Sequence, residues 1–251
     1  MHEPVRASVA MAVCNGEPFL KEQIDSILTG LSDRDELVIS YDASGDNTLT
    51  IVREYAQKDP RVRVTLHDGP TGFRQNFENA IRACRGSVIL LADQDDYWLP
   101  AKTDAVLRCF SESGADLVVH DGYMTDEALH PLPGTIFERF GKQNGPVRNT
   151  IRCTFWGCCM AFRRELLPIL LPIPTTGQAH DMWIGVLCGI YGRIERLPMP
   201  LVLHRLHGAN QSAPRRRALT LILRDRALFL GHLIRRMNDL RKIGIRPGRK
   251  A

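Results

Sequence analysis

No apolar run in this sequence approaches the ~20 residues needed to cross a bilayer. The most apolar stretches, 166–173 and 182–191, are far shorter, so a membrane-spanning helix is not expected. Cysteine is odd in number at seven and never spaced as C-x-x-C, which removes the usual structural-zinc pattern. Reduced thiols in a reducing compartment are the simplest expectation. No G-x-G-x-x-G follows the first apolar strand, which argues against a dinucleotide oxidoreductase. Internal repeats and low-complexity linkers are also missing. One large α/β domain, or one domain with an appendage, therefore fits 251 residues. The chain opens Met1-His2-Glu3-Pro4 and is strand-like by Ser8, which leaves no room for a signal peptide. A cytoplasmic protein is expected.

What the sequence does contain is ordinary in bulk and uneven in layout. Apolar residues make up 44% and charged residues 24%, which sets aside disorder. The net charge of +5 conceals a polarity: residues 215–251 hold twelve Lys/Arg against two Asp/Glu, so the remainder is net acidic. Within that tail Leu219, Ile222, Leu223, Leu230, Leu233, Ile234 and Met237 recur at helical spacing, with arginines between them. The expected division is a body over 1–212 and a basic amphipathic helical tail over 213–251. Such a tail suits an anionic membrane, where each Lys/Arg contributes ~1 kcal/mol, and would place the protein at the inner face of the cell membrane. Packing of its apolar stripe on the body or on a second subunit is the competing reading. Nucleic acid is not expected, because no recognition motif accompanies the charge.

Along the first half, short apolar runs alternate with helical patterns, the signature of a mainly parallel sheet covered by helices. Strands are expected at 8–14, 36–41, 62–67, 87–92 and 115–120, with helices from Phe19, over 48–57, over 73–84 and over 100–110. The rhythm then degrades. Residues 130–149, rich in Gly and Pro, read as a long loop of the kind that serves as a lid or acceptor-side segment. A strand is expected at 155–162, helices at 163–171, 181–191 and 217–242, and a last strand at 201–205.

In open α/β sheets, ligands bind at the carboxyl ends of the strands. Three polar clusters fall there: Asn15 after the first strand, Asp42 after the second, and Asp93-Gln94-Asp95-Asp96 after the fourth. The strand before the acidic cluster is apolar throughout and so expected to be central. Three carboxylates this close repel one another unless a cation or hydrogen-bond donors intervene. Hard divalent ions take oxygen ligands, and Mg²⁺ commonly combines one or two carboxylates with substrate phosphates. Such an ion would hold a diphosphate and offset the charge developing on it as it leaves. A solvated acidic turn ahead of the helix at Pro100 is the plainer alternative.

Asn15-Gly16, Asp42-x-Ser44-x-Asp46 and Asp93-Gln94-Asp95-Asp96-x-Trp98, at those three strand ends, resemble the family 2 glycosyltransferases of GT-A fold. His180-Asp181-x-Trp183 and His204-Arg205-x-His207-Gly208-x-Asn210 resemble a subgroup described as rhamnosyltransferases. The five motifs fall in the family's order over roughly residues 7–212. The resemblance implies a Rossmann-like α/β sheet and Mg²⁺ or Mn²⁺ as cofactor. It also implies a nucleotide-sugar donor (dTDP-rhamnose or a UDP-sugar) and a glycan or lipid-linked acceptor in surface-polysaccharide synthesis. It assigns Asn15 and Asp42 to the nucleoside, Asp93 to the ribose or the metal's water shell, and Asp95 to direct metal ligation. Asp181 becomes the general base of a one-step, inverting displacement.

Other candidates stand beside these. His207 is a second candidate metal ligand, and Arg205 and Arg74 are candidates for the donor, although each also suits a structural place. Asp181 begins a helix, where the dipole would stabilise a carboxylate in any case. Trp98 and Trp183 read equally as sugar walls or core, and Cys158-Cys159 as core. In one respect the chain departs from the family, which commonly has two successive Asp after the second strand where this chain has Tyr41-Asp42. Two other functions compete. A sugar-1-phosphate nucleotidyltransferase would show a Gly-rich basic loop where Asn15-Gly16-Glu17-Pro18 stands. A non-catalytic sugar-nucleotide-binding protein would have no use for both the acidic cluster and Asp181.

Overall fold

The computed structural model describes residues 5–69, 72–141, 145–208 and 218–248. Strands β1 (Ala7–Val13), β2 (Asp35–Tyr41), β3 (Val62–Leu66) and β4 (Val88–Ala92) run parallel, with β1 between β2 and β4. Helices α1 (Glu17–Thr29), α2 (Thr48–Lys58) and α3 (Phe73–Ala83) make the connections. Both faces of β1 and β4 are buried, which is why they read as continuous apolar runs. Val9, Met11 and Leu90 pack with Leu20, Ile24 and Ile27 of α1. Ala10, Ile89 and Leu91 point the other way, into a second core with Phe77 and Ile81 of α3.

The second half of the sheet is mixed. After the two-residue β5 (Tyr97–Trp98) and α4 (Lys102–Ser113) comes β6 (Leu117–Thr125). β8 (Met160–Arg163) lies antiparallel between β4 and β6, and β9 (Ile194–Arg205) runs parallel to β6. The strand order is β3-β2-β1-β4-β8-β6-β9-β5, with β7 (Pro131–Thr135) on β6. One pairing matters for function: Tyr97 faces Leu203 and Trp98 faces Val202 across the β5–β9 ladder. The end of the last long strand is thereby drawn beside the acidic residues that precede β5.

The segment expected as a long loop is largely structured. It holds β7, α5 (Ile136–Phe140) and α6 (Pro146–Ile151), while residues 142–144 lie outside the described set. Its prolines are compatible with a strand because β7 is an edge, pairing with β6 at only two positions. Thr135 and Glu138 form a reciprocal capping box that starts α5. The strand expected at 155–162 shortens to Met160–Arg163, because Gly157–Cys159 turns as a 3-10 helix. The last strand is longer than expected and begins at Ile194. Pro198 and Pro200 hid it, and its register against β6 shifts in that region. The helix expected from Pro100 begins at Lys102.

Short α7 (Leu167–Leu170) and the strongly apolar α8 (His180–Tyr191) complete the second core, and α9 (Leu219–Lys242) closes the chain. α9 packs on the body through Phe229, Leu233 and Leu240, all buried, and its Arg236 donates to the Ile169 carbonyl at 3.0 Å. Along one flank of that buried stripe Leu223, Leu230 and Ile234 are exposed. The expected boundary at 212/213, Asn210 and Arg215–Arg217 lie outside the described residues. No helix among the described residues is long and apolar enough to cross a membrane.

Candidate active site

The carboxyl ends of β1, β2 and β4 meet at one edge of the sheet. Asn15 leaves β1 with φ 49°, a left-handed conformation that asparagine tolerates better than most residues. Its Oδ1 accepts the Gly45 N–H at 2.8 Å, and its own N–H donates to Ser44 Oγ at 3.0 Å, which stitches the first two strand-end loops together. At Gly16, which follows, a Cβ would stand 2.6 Å from Gln94 Oε1 and would displace that side chain. Gln94 is a residue that sequence reasoning passed over. Its side chain accepts from Cys14 N–H at 2.8 Å and donates to Cys14 O at 2.9 Å, locking the acidic strand end to β1.

Asp42, at the end of β2, is 2% exposed. Its carboxylate accepts the N–H of Ala43 at 3.1 Å and of Gly72 at 3.0 Å, and so holds the loop that enters α3. Arg74 stands in the first turn of α3. Its guanidinium donates to the carbonyls of Gln178, Thr175 and Gly177, at 2.9, 3.2 and 3.0 Å.

At the end of β4, each of two carboxylates meets a histidine delivered by β9 or the residues just after it. Asp95 Oδ2 lies 2.8 Å from His207 Nε2, on the open side of the cluster. Asp96, fully buried, lies 2.8 Å from His204 Nδ1 and accepts the Arg205 N–H at 3.3 Å. Arg205 is buried beneath, donating to Asp95 O at 3.0 Å, to Glu127 O and to the Glu22 carboxylate, with Phe19 under its guanidinium. It braces the acidic turn from below. The His204–Asp96 pair was not foreseen, although both residues stand within the motifs.

The electrostatics follow from crowding. Burial, then Asp96, then Asp95 hold the Asp93 carboxyl well above the usual range. Burial and Asp96 also push Asp95 upward, against His207. Burial opposes charge on His204, yet Asp96 outweighs it and raises that imidazole well above its ordinary value. Carboxylates that resist ionisation for want of positive charge are what a divalent cation would relieve. Asp95 with His207 fits such an ion: one oxygen and one nitrogen donor, 2.8 Å apart, with side chains 15% and 11% exposed. Donor atoms of Asp93, Asp96, Cys158 and His204 also lie within 4.8 Å of one another. That set includes a thiol and three buried residues, which suits Mg²⁺ poorly and leaves no approach for a phosphate.

Facing the cluster is the start of α8. His180 is buried, with Phe77 stacked on it at 4.0 Å and Phe73 edge-on at 6.0 Å. Burial pushes it down to about 3, so it is neutral. Asp181 follows, half-buried, its Oδ1 accepting the Met182 N–H at 2.6 Å. Burial raises its carboxyl to about 6, against the pull of that hydrogen bond and of Arg74. The Asp181 charge adds to the repulsion felt by Asp93, and Trp156, whose ring meets His204 at 5.2 Å, leads directly into Gly157 beside His180 and Asp181. Gly157 lets the chain pass here: a Cβ would stand 3.0 Å from His180 Nε2 and 3.9 Å from Asp181 Cβ.

Trp98 and Trp183 are core residues, 1% and 2% exposed, the latter donating to Leu170 O at 2.8 Å. The half-buried tryptophan is Trp156, between Phe140 and His204. Cys158 and Cys159 are each 1% exposed, in the core.

Several known proteins are similar to this chain. The uncharacterized glycosyltransferase alr2836 of Nostoc sp. is 26% identical over 221 residues, 82% of this chain and 66% of that protein. TuaG of Bacillus subtilis, described as a putative teichuronic acid biosynthesis glycosyltransferase, is 23% identical over 72% of this chain and 71% of its own length. Among solved structures, S. aureus TarS with UDP-GlcNAc superposes with TM-score 0.69 at 18% identity, over 91% of this chain and 66% of TarS. The mannosyltransferase PcManGT of Pyrobaculum calidifontis, with GDP-Man and Mn²⁺, gives 0.59 at 21% identity, over 98% and 66%. The fold is accordingly GT-A, and the chain spans about two thirds of several of these proteins. Residues 8–170, from β1 through the acidic strand end to α7, match the family model for glycosyl transferase family 2, and the chain belongs to that family.

Proposed function

We propose that this protein transfers a sugar from a nucleotide-activated donor to an acceptor hydroxyl, with inversion at the anomeric carbon. The observation that carries this is the nearness of the acidic end of β4 to the start of α8: Asp96 holds His204, His204 meets Trp156, and the next residue, Gly157, lies against His180 and Asp181. Asn15 and Asp42 line the side where the nucleoside would sit, and Asp93 the ribose side. Asp95 with His207 would hold Mg²⁺ or Mn²⁺, which when bound supplies positive charge to the departing diphosphate.

Asp181 does the proton work. A carboxyl with a value near 6 is largely ionised at neutral pH yet basic enough to take a hydroxyl proton as the new bond forms. Its rigid place in the first turn of α8 fixes the direction of attack, opposite the leaving diphosphate. Asp93, resisting ionisation, limits repulsion of a nearby phosphate until a cation arrives.

The donor we propose is dTDP-rhamnose or a UDP-sugar, and the acceptor a glycan or lipid-linked glycan of surface-polysaccharide synthesis. TuaG's described role and the UDP-GlcNAc in TarS support that setting. Residues 1–212 would be the catalytic body and 213–251 a tail in peripheral contact with an anionic membrane. The exposed Leu223, Leu230 and Ile234, with exposed Arg224 and Arg235 beside them, support this contact. The test is incubation with a panel of sugar nucleotides and bacterial lipid-linked acceptors, reading nucleoside diphosphate release and the anomeric configuration of the product by NMR. Product of retained configuration, or release without any transfer, would overturn the reading.

A further inference from the structure

The residues between Ile173 and α8 carry Asp181 into the crevice, yet they form neither helix nor strand. Their placement depends on what grips them. On one side is Arg74, whose three nitrogens each donate to a carbonyl, of Thr175, Gly177 and Gln178. On the other side is α9. Gly177, at φ +88°, lies so close beneath it that a Cβ would stand 3.3 Å from Phe229 N and 3.4 Å from Asp225 O. Thr176 Oγ1 lies 3.0 Å from His232 Nε2 of the same helix. The loop is held between two helices far apart in sequence, α3 ending at Ala83 and α9 beginning at Leu219.

The first turn of α3 has a second attachment. Gly72, just before it, donates its N–H to Asp42 at 3.0 Å on the nucleotide side. Phe73 and Phe77 of α3 also enclose His180, next to Asp181. One helical turn therefore touches both the corner where a nucleotide would sit and the loop that presents the base.

We infer that Arg74 is a positioning residue: it clamps the 175–178 loop and thereby sets Asp181, linking base placement to the nucleotide corner through Gly72 and Asp42. This inference rests on Asp181 being the base. It assigns Arg74 to the protein's own carbonyls and not to the donor diphosphate. The planar guanidinium suits the task because its donors diverge in fixed directions. A lysine ammonium keeps the charge but cannot reach three carbonyls from one stem in the same way.

The test uses the full chain with Arg74→Lys and Arg74→Gln, read by amide hydrogen exchange, by UDP and dTDP binding, and by turnover of a sugar nucleotide. Both variants are expected to speed exchange over 175–182 by about tenfold or more, leave β1 and β4 unchanged, and keep nucleotide Kd within about twofold. Turnover is expected to fall about 10- to 100-fold, since small misplacements of a reacting group have effects of that size. Unchanged exchange over 175–182 would overturn the inference. So would a tenfold loss of nucleotide affinity with exchange and turnover intact, because Arg74 would then be a donor contact. If Arg74→Gln loosens the whole sheet, Arg74→Lys decides. Asp181→Asn, run in parallel, separates the two claims: full turnover in that variant sinks the base assignment, while hydrogen exchange still judges the clamp.

Discussion

Replacing Asp181 by asparagine should make the protein more stable while removing its activity. Burial raises this carboxyl from 3.8 to about 6, so the folded protein holds its proton more tightly than the unfolded chain does. Stability linked to this group is therefore highest below ~pH 4, falls as pH rises through the interval up to ~6, and is lowest above it. Two units correspond to about 3 kcal/mol, and solvent screening at a half-open position leaves about 2 kcal/mol. The substituted amide carries no charge at any pH and keeps an oxygen for the Met182 N–H. In a chain of this size 2 kcal/mol raises Tm by ~4–8 °C. Melting curves in metal-free buffer at pH 7.5 should show that gain, and at pH 4.5 the gain should shrink by more than half. Turnover should fall about 10²- to 10⁴-fold, the usual contribution of a general base. A variant no more stable than wild type at pH 7.5, or equally shifted at both pH values, would refute the reasoning.

Other perturbations have separate readouts. The acidic limb of kcat/KM should have an apparent pKa near 6, with activity rising as Asp181 ionises and reaching a plateau above it; a limb near 4 would remove Asp181 as the base. Gly157→Ala places a methyl 3.0 Å from His180 Nε2 and should lower turnover about tenfold or more with nucleotide affinity unchanged, as calorimetry and kinetics together would reveal. Asp96→Asn leaves His204 buried without its charge partner and should destabilise the fold by about 3 kcal/mol in urea titrations. Leu223→Ser with Leu230→Ser and Ile234→Ser, all on the exposed face of α9, should reduce co-sedimentation with anionic vesicles severalfold at unchanged Tm. Undiminished sedimentation would show that this face is not the contact.

The parts of the fold that were legible are those whose cause is local. β1, β2 and β4 are apolar runs that stop at Asn15, Asp42 and Asp93, and all three ends meet where a parallel sheet requires. The α8 start could be placed because apolar residues follow Asp181 without a break. What stayed hidden depends on distant partners or on prolines. Gln94 finds Cys14 across 80 residues, and His204 finds Asp96 across 108. Arg74 and Arg205 read as cations near a crevice, but a sequence does not reveal that main-chain carbonyls and Glu22 occupy them. Pro131 and Pro133 disguised an edge strand, and Pro198 and Pro200 concealed half of β9.

The most direct test of the active-site assignment is nucleoside diphosphate release from a panel of sugar nucleotides, with and without Mn²⁺, for wild type, Asp95→Ala and Asp181→Ala. Metal-dependent release in wild type, lost in both variants while each still melts cooperatively, is the expected result. Release that is independent of metal and survives Asp95→Ala would contradict it.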